Sequence, residues 1–446
     1  MSEGYKLWFS CQNQPATPLA RHRPLAPLAG VHVSPIAFGG MSLGTAWAPI
    51  TGATTKDEAF KLLDAYYEAG GNFIDTANMY HDGQSEQYIG EWIESRGVRE
   101  QIVLATKYTC NYKRGQKVPQ QSQYAGNNMK SLHNSLEASL KQLRTSYVDI
   151  LYVHFWDWTC GVEEVMNGLH NLVINGKVLY LGISDTPAWV VAKANTYARC
   201  MGKTPFCIYQ GLWNIMQRDL ERDIIPMARA EGMAIAPWSV LASGKIRTDE
   251  EEERRLLSGE KGRGEILARD DWKRTPEQRR VCKALEKVAA EVGASNIAVV
   301  AIAYVMQKTP YVFPVIGGRK VEQLKSNLEA LEIALSPEQI AYLESESPFD
   351  PGFPHTMCGN GSEDIPMQSS AGFFDRWPAQ QSLRPHKPLK AANGTNGTAR
   401  TNGTNGVTHA NGTNGAAHAN GTHGAAHANG TKGTNGVNGS NSLSRR

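Results

Sequence analysis

The chain has 446 residues, of which 41% are apolar, so it is long enough for one large barrel or two ordinary domains and can bury a sizeable core. Its formal net charge of +3 is close to neutral for this length, which argues against nucleic acid as the main partner. It contains no apolar run of about 18 residues, so no membrane-spanning helix and no membrane partner are expected.

The N-terminal residues and the cysteines together indicate the cellular compartment of the protein. Residues 1–30 are rich in proline and predict an irregular segment, without the apolar stretch of a signal peptide. Seven cysteines are scattered without a C-x-x-C pair, which is typical of reduced thiols in a cytosol. We therefore expect a cytoplasmic protein. A reactive Cys110 or Cys160 near a site remains an alternative to that plain interpretation.

Eight short apolar runs follow the N-terminal segment and predict buried strands. They lie at 36–38, 73–75, 102–106, 148–153, 180–182, 206–209, 233–236 and 313–316. Amphipathic stretches separate them and predict helices at 56–69, 128–143, 162–175, 189–201, 219–231 and 276–292. Thr55 and Ser85 suit helix starts, and Gly70, Gly176 and Gly232 suit helix stops.

Eight alternations of strand and helix predict a parallel sheet that closes on itself, which is an α/β (β/α)8 TIM barrel over residues 31–348. A doubly wound sheet is the second choice. It would need a Gly-x-Gly-x-x-Gly turn after its first strand, and the segment 39–44 does not match that pattern. In a barrel, the site is expected at the C-terminal ends of the strands.

Three segments stand apart from this alternation. The charged run 249–255 lies in a long insertion before the last strand, and it is either a solvated helix or loop face or a lid over a cofactor. Residues 349–385 are rich in Phe and Trp, and they either cover the substrate mouth or pack beside the barrel. Residues 386–446 repeat Asn-Gly-Thr and His-Ala-Asn-Gly with few large apolar side chains, which predicts a disordered low-complexity tail.

Four polar residues lie at or just after the ends of three predicted strands: Asp75, Tyr80, Lys107 and His154. A cation near a phenol stabilises the phenolate and lowers its pKa, and a buried ammonium needs a counter-charge. Lys107 therefore suits Tyr80, Asp75 suits Lys107, and His154 can bind a substrate oxygen. Together they would protonate a carbonyl oxygen while another group delivers hydride. No metal-ligand set is evident, so no metal is expected.

The motifs around these residues resemble those of the aldo-keto reductases. The resemblance lies in Phe73-Ile-Asp-Thr-Ala77 with Tyr80 and Gly83-Gln-Ser-Glu86, in Ala105-Thr-Lys107 and in Tyr147–His154, and it covers about residues 30–345. The segment 154–158 is similar to the aryl-alcohol dehydrogenase branch, which includes fungal norsolorinic acid reductases. The resemblance implies that Tyr80 is the general acid, that Asp75 and Lys107 tune it, and that His154 orients the carbonyl, with Trp156 as a further substrate contact.

The same resemblance implies NADP(H) as cofactor and indicates the residues that hold it. Besides Asp75, these are Ser184, Asp185, Gln210, Trp238, Ser239, Leu241, Lys245, Gly317, Gly318, Arg319, Lys320, Gln323 and Asn327. Asp185 departs from the usual asparagine, because a carboxylate accepts hydrogen bonds and cannot donate them. Arg319 and Lys320 suit a 2′-phosphate, which favours NADP(H) over NAD(H).

The sequence thus predicts an NADPH-dependent reductase of an aldehyde or ketone, with a small-molecule carbonyl or alcohol as its partner. Aromatic residues placed around the mouth (Tyr80, Trp156, Trp158 and Trp213) favour an aromatic or polycyclic substrate. The resemblance to the fungal branch implies a role in secondary-metabolite biosynthesis. The alternative is a non-catalytic regulatory or interaction protein that keeps the fold and the cofactor site. A tightly bound nucleotide with no measurable turnover would favour that alternative.

Overall fold

The computed structural model describes residues 14–259, 272–359 and 365–385. The predicted disordered tail, 386–446, lies outside the described residues. The described residues form ten strands: β1 (Arg23–Ala26), β2 (Ala29–Val33), β3 (Ala37–Gly39), β4 (Phe73–Asp75), β5 (Val103–Tyr108), β6 (Val148–Val153), β7 (Val178–Ser184), β8 (Phe206–Leu212), β9 (Ala234–Trp238) and β10 (Val315–Ile316).

Helices alternate with these strands along the chain. They are α1 (Ala48–Thr51), α2 (Lys56–Glu68), α3 (Gln84–Arg96), α4 (Met129–Gln142), α5 (Val162–Ile174), α6 (Ala188–Cys200), α7 (Ile224–Ala230), α8 (Asp249–Ser258), α9 (Pro276–Val292), α10 (Ile297–Lys308), α11 (Val321–Leu328), α12 (Pro337–Ser345), α13 (His355–Cys358) and α14 (Pro366–Ser369). Local signals define several ends. Thr55 and Glu58 form a capping box at the start of α2, and Gly293 ends α9 in the left-handed conformation.

Strands β3 to β10 form one parallel sheet in the order β10-β3-β4-β5-β6-β7-β8-β9. The two edges meet where the amide of Ile235 donates to the carbonyl of Tyr311 at 2.9 Å and the amide of Phe313 donates to Ile235 at 2.8 Å. This contact closes the sheet, so the (β/α)8 barrel predicted from the eight apolar runs is confirmed.

A β-hairpin fills the N-terminal end of the barrel. Strands β1 and β2 pair antiparallel, and Leu25, Ala29 and Val33 pack in one buried cluster with the barrel interior. The prediction of an irregular segment over residues 1–30 is therefore wrong for residues 23–30. The paired backbone and the apolar side chains of the hairpin seal this end, which leaves the C-terminal strand ends as the open face.

The helices cover the outside of the sheet. Helix α10 is buried on almost all sides, which explains its uniformly apolar sequence. Within the described ranges, no single helix is long and apolar enough to cross a membrane. Helices α9 and α10 reach that composition only as a pair bent by 88°.

The segment after residue 346 runs along the barrel. Phe349 lies under the guanidinium groups of Arg218 and Arg222, 5.4 and 5.1 Å from its ring centroid. Further on, the hydroxyl of Ser382 donates to the carbonyl of Gln307 at 2.9 Å. Several aromatic side chains of this extension are exposed instead of packed on the barrel: Phe353, Phe373, Phe374 and Trp377. Whether the extension covers the substrate stays a prediction.

Candidate active site

The parallel register brings the predicted catalytic residues to one rim. Asp75 is the last residue of β4, Lys107 is the penultimate residue of β5, and His154 directly follows β6. Ala105 of β5 pairs with Asp75, and Lys107 pairs with Tyr152 of β6. Tyr80 opens a short 3-10 turn after β4. The chain therefore places all four side chains at the C-terminal face of adjacent strands.

A buried ion pair forms the base of the site. Nζ of Lys107 lies 2.5 Å from Oδ1 of Asp75 and donates to the carbonyl of Thr76 at 2.9 Å. The second carboxylate oxygen of Asp75 accepts a hydrogen bond from Nε2 of Gln210 at 2.9 Å. Burial alone would lower the pKa of Lys107, but Asp75 and Tyr80 outweigh it and raise that pKa. Lys107 is therefore a fixed cation.

The hydroxyl of Tyr80 lies 3.5 Å from Nζ of Lys107, and the residue is 8% exposed. Burial raises the pKa of Tyr80, while the Lys107 ammonium opposes that rise. The expectation of a lowered tyrosine pKa is therefore wrong for the protein without ligands, because burial has the larger effect. The phenol carries its proton at neutral pH, which is the state that a proton donor needs.

His154 stands beside Tyr80, with ring centroids 6.0 Å apart and ring planes nearly perpendicular. Its amide donates to the carbonyl of Tyr108 at 3.2 Å, which ties it to the end of β5. Burial and the Lys107 ammonium lower the pKa of His154 to about 3. The imidazole is therefore neutral, with one nitrogen that donates and one that accepts.

Trp47 and His81 form a wall of the site that the sequence did not reveal. The ring of Trp47 meets Tyr80 edge-on at 6.3 Å between centroids and stacks on His81 at 5.4 Å. Nδ1 of His81 accepts from the amide of Trp47, and Nε2 lies 3.1 Å from Oγ1 of Thr51. His81 and Asp82 have positive φ angles of 49° and 55°, and no sequence signal announced this bend.

The rim continues with residues expected at the nicotinamide. Ser184 is the last residue of β7, and its hydroxyl donates to Oδ2 of Asp185 at 3.3 Å. Oδ1 of Asp185 accepts from the indole nitrogen of Trp238 at 3.1 Å. The structure thus joins Ser184, Asp185 and Trp238 in one chain of hydrogen bonds. Gln210 lies at the same rim, although its amide nitrogen is bonded to Asp75.

The turn after β9 carries unusual backbone strain. Ser239, Ala242 and Ser243 have positive φ angles of 55°, 48° and 53°. Such angles in residues with a side chain cost about 1–3 kcal/mol each and concentrate at functional sites. Leu241 is half-buried in this turn, and Lys245 follows it with 2% exposure. The predicted pyrophosphate residues therefore lie on one tightly shaped loop.

Helix α8, which contains the charged run 249–255, is fastened by a buried ionic cluster. Glu252 lies 2.6 Å from Nη2 of Arg247 and 2.8 Å from Nε of Arg274. Burial would raise the pKa of Glu252, but the two guanidinium groups lower it to about 2. The helix is thus anchored beside the loop that carries Lys245, and residues 260–271 of the insertion lie outside the described part.

The basic turn after β10 faces the first loop of the barrel. Gly317 and Gly318 lead from β10 to Arg319 and Lys320, both exposed, and Gln323 and Asn327 lie in α11. The guanidinium of Arg319 lies directly over Gly52, where a Cβ atom would be 2.0 Å from Nη1. Gly52 therefore leaves the space in which Arg319 is held.

Only some of the aromatic residues expected around the mouth of the barrel lie where they were expected. Trp213 is fully buried and donates to Glu221, so its expected place at the mouth is wrong. Trp156 is 8% exposed and packs in the main core, so its substrate contact stays a prediction. Trp158 and Trp189 are 64% and 61% exposed, with ring centroids 6.1 Å apart.

A cavity of about 240 Å³ opens beside the rim and is lined by Asp185, by Leu212 at the end of β8 and by Gln217 in the segment that follows. No group of three metal-ligating side chains exists among the residues that the structure describes. The arrangement at the rim is therefore a buried ammonium, a protonated phenol and a neutral imidazole around one point. These groups suit proton transfer to a substrate oxygen.

Comparison with known proteins agrees with this fold. The model of the aldo/keto reductase family matches residues 35–347. An aryl-alcohol dehydrogenase (NADP+) of Phanerodontia chrysosporium is 62% identical over 378 residues, covering 84% of this chain and 98% of that protein. Norsolorinic acid reductase A of Aspergillus parasiticus is 49% identical, covering 84% of this chain and 96% of that protein.

A third relative, the aldo-keto reductase ausK of Emericella nidulans, is 50% identical, and the match covers 79% of this chain and 87% of that protein. The match to the family model spans all eight strands of the barrel sheet, from β3 to β10. This chain belongs to the aldo/keto reductase family.

Proposed function

We propose that the chain reduces an aromatic or polycyclic aldehyde or ketone to the alcohol, with Tyr80 as the proton donor. The observation that carries this proposal is the buried Lys107 ammonium, which lies 3.5 Å from the Tyr80 hydroxyl and 2.5 Å from Asp75. The chain is an NADP-dependent oxidoreductase, as its family and its 62% identical relative indicate.

The residues of this chain fit NADP(H). Arg319 and Lys320 are exposed, and among the described residues neither forms an ion pair. They are available for a 2′-phosphate, and the amide groups that begin α11 lie next to them. Gly317, Gly318, Gln323 and Asn327 would line this end, and Lys245 with Ser239 and Leu241 would hold the pyrophosphate. Ser184, Asp185, Gln210 and Trp238 would hold the nicotinamide, and bound NADPH supplies hydride.

The chain's own groups then handle the proton. Tyr80 keeps its phenolic proton at neutral pH and gives it to the substrate oxygen, where negative charge develops. Lys107 stabilises the phenolate that results, and Asp75 with Gln210 fixes the position of Lys107. The neutral imidazole of His154 donates a hydrogen bond to the same oxygen and orients the carbonyl group. Alcohol oxidation follows the reverse sequence, with the Tyr80 phenolate as base.

An aromatic substrate is supported by the exposed rings after β6 and at the start of α6. Trp158 and Trp189 contact each other, yet each leaves more than half of its surface exposed, and Phe155 next to His154 is 40% exposed. Stacking on such rings favours planar ligands. The relatives named for aryl alcohols and norsolorinic acid agree, and they also support a role in secondary metabolism. We propose a cytoplasmic location, because the six cysteines among the described residues are free thiols.

The test is turnover by the purified full-length chain. A panel of aryl, polycyclic and aliphatic aldehydes and ketones is offered with NADPH or NADH, and both cofactor absorbance and alcohol product are measured. We expect the highest kcat/KM for aromatic carbonyls with NADPH. Absence of turnover across the panel, together with tight NADPH binding, would instead support a regulatory protein that keeps the cofactor site.

A further inference from the structure

A thiol lies against the imidazole of the site. Sγ of Cys110 is 3.6 Å from Nδ1 of His154, a distance at which a thiol can form a hydrogen bond. Cys110 is half-buried and follows β5 by two residues, so it reaches His154 from the strand that also carries Lys107. The mechanism above gives Cys110 no role.

A strained backbone brings the thiol to this place. Thr109 has a φ angle of 99°, which is a rare conformation for a β-branched residue. Three hydrogen bonds hold it there. Its Oγ1 accepts from the amide of His154 at 3.3 Å and from Nδ2 of Asn127 at 3.0 Å, and its carbonyl accepts from Gly126 at 2.7 Å. Strain that the surroundings enforce so fully is typical of functional sites.

The contact bears on which imidazole nitrogen carries the proton. The His154 ring is neutral, because burial and Lys107 lower its pKa to about 3, so only one nitrogen is protonated. Burial also raises the pKa of Cys110 to about 12, so the sulfur keeps its proton. A thiol is a weak donor through its S–H and a weak acceptor through its sulfur. Because an imidazole lone pair is a much stronger acceptor than a thiol sulfur, the favoured contact is S–H donating to an unprotonated Nδ1.

We propose that Cys110 is a positioning residue that donates its S–H to Nδ1 of His154 and thereby keeps the proton of the ring on Nε2. The inference rests on the proposed carbonyl reduction, in which His154 donates a hydrogen bond to the substrate oxygen. Only the form protonated at Nε2 can donate from that nitrogen. In the other tautomer, Nε2 presents a lone pair to the carbonyl oxygen and repels it.

A hydrogen-bonding role for Cys110 is favoured over the alternative of a reactive thiol. A nucleophilic or redox-sensing cysteine needs an accessible thiolate, which a low pKa provides. The half-buried thiol of Cys110 has the opposite property. Its use is as a hydrogen-bond donor to the ring beside it.

The kinetic test compares Cys110→Ala and Cys110→Ser with the wild-type chain. Loss of the donor should lower kcat for an aryl aldehyde about three- to tenfold, the effect of one net hydrogen bond. Affinity for NADPH should not change. Serine should restore most of the rate, because its hydroxyl can donate to the same nitrogen. Cys160→Ala is the matched control, since Cys160 is also half-buried but its sulfur contacts Thr159 instead of His154.

The spectroscopic test does not depend on turnover. Nitrogen-15 NMR of the histidine-labelled full chain reports the protonation of each ring nitrogen, with His154 assigned from its absence in His154→Gln. We expect protonated Nε2 and unprotonated Nδ1 in the wild type, and a tautomer mixture in Cys110→Ala. Protonated Nδ1 in the wild type, or a Cys110→Ala spectrum identical to the wild type, overturns the inference. A wild type that reduces no carbonyl refutes the proposed function, whereas the tautomer result still decides the role of Cys110.

Discussion

Replacing Lys107 with methionine removes the ammonium from the site and keeps most of the volume of the side chain. The Lys107 ammonium lies 3.5 Å from the Tyr80 hydroxyl, so it attracts the phenolate formed on proton donation by about 5 kcal/mol at an effective dielectric constant near 20. The Asp75 carboxylate, 2.5 Å from the same nitrogen, repels the phenolate and offsets part of this attraction. Opposite charges at such distances shift a pKa by about 1–3 units. We therefore expect kcat to fall about 10- to 1,000-fold.

The assay is pre-steady-state reduction of an aryl aldehyde by NADPH, with NADPH affinity measured separately by fluorescence. The affinity should stay within about threefold, because Lys107 contacts Asp75, Thr76 and Tyr80 and not the phosphate-binding residues. Lys61→Met, at an exposed position of α2, controls for loss of a positive charge. A Lys107→Met variant that folds, binds NADPH and keeps kcat within about threefold of the wild type would refute the electrostatic reasoning.

Four further changes follow from the structure. Arg319→Ala should weaken NADPH binding about 10- to 100-fold, the loss of a charge-assisted contact, and leave NADH binding unchanged in a titration. Gly52→Ala should weaken NADPH binding by displacing Arg319, whereas Gly97→Ala, at another positive φ with open space around it, should not. Asp185→Asn should tighten NADPH binding severalfold, because an amide can also donate, and a weaker Kd would contradict that reason. Burial raises the pKa of Glu86 to about 7, so the folded protein loses stability as pH rises from about 4.5 to 7. In the wild type this effect lowers the free energy of unfolding by about 3 kcal/mol over that range. Glu86→Gln cannot titrate, so its melting temperature should fall less between pH 5 and 8 than that of the wild type.

The strands were predictable because parallel strands are buried on both faces and are therefore continuous apolar runs. All eight runs correspond to barrel strands, with ends that differ by a few residues, as at β7, which begins at Val178. The hairpin was missed because its strands are short and contain Pro24. Helix α10 was missed because a helix buried on almost all sides has no amphipathic period.

The placement of the proposed catalytic residues was predictable because Asp75, Lys107 and His154 each lie at a strand end, and parallel strand ends meet at one rim. Contacts made by loops were not predictable from the sequence. Trp47 reaches Tyr80 through the strained turn at His81, and Arg319 reaches Gly52 across the barrel rim. The raised pKa of Tyr80 was also out of reach, because it depends on the degree of burial and not on which residues are present.

The central claim is that Tyr80 donates the proton, and single-turnover reduction by Tyr80→Phe tests it most directly. Phenylalanine keeps the ring that packs against Trp47 and removes only the hydroxyl. Tyr67→Phe removes a phenol that bonds Gln101 on the barrel exterior and serves as the control. We predict that Tyr80→Phe binds NADPH normally and reduces an aryl aldehyde at least about 100-fold more slowly, while the control does not change. A Tyr80→Phe rate within a few-fold of the wild type would contradict the account.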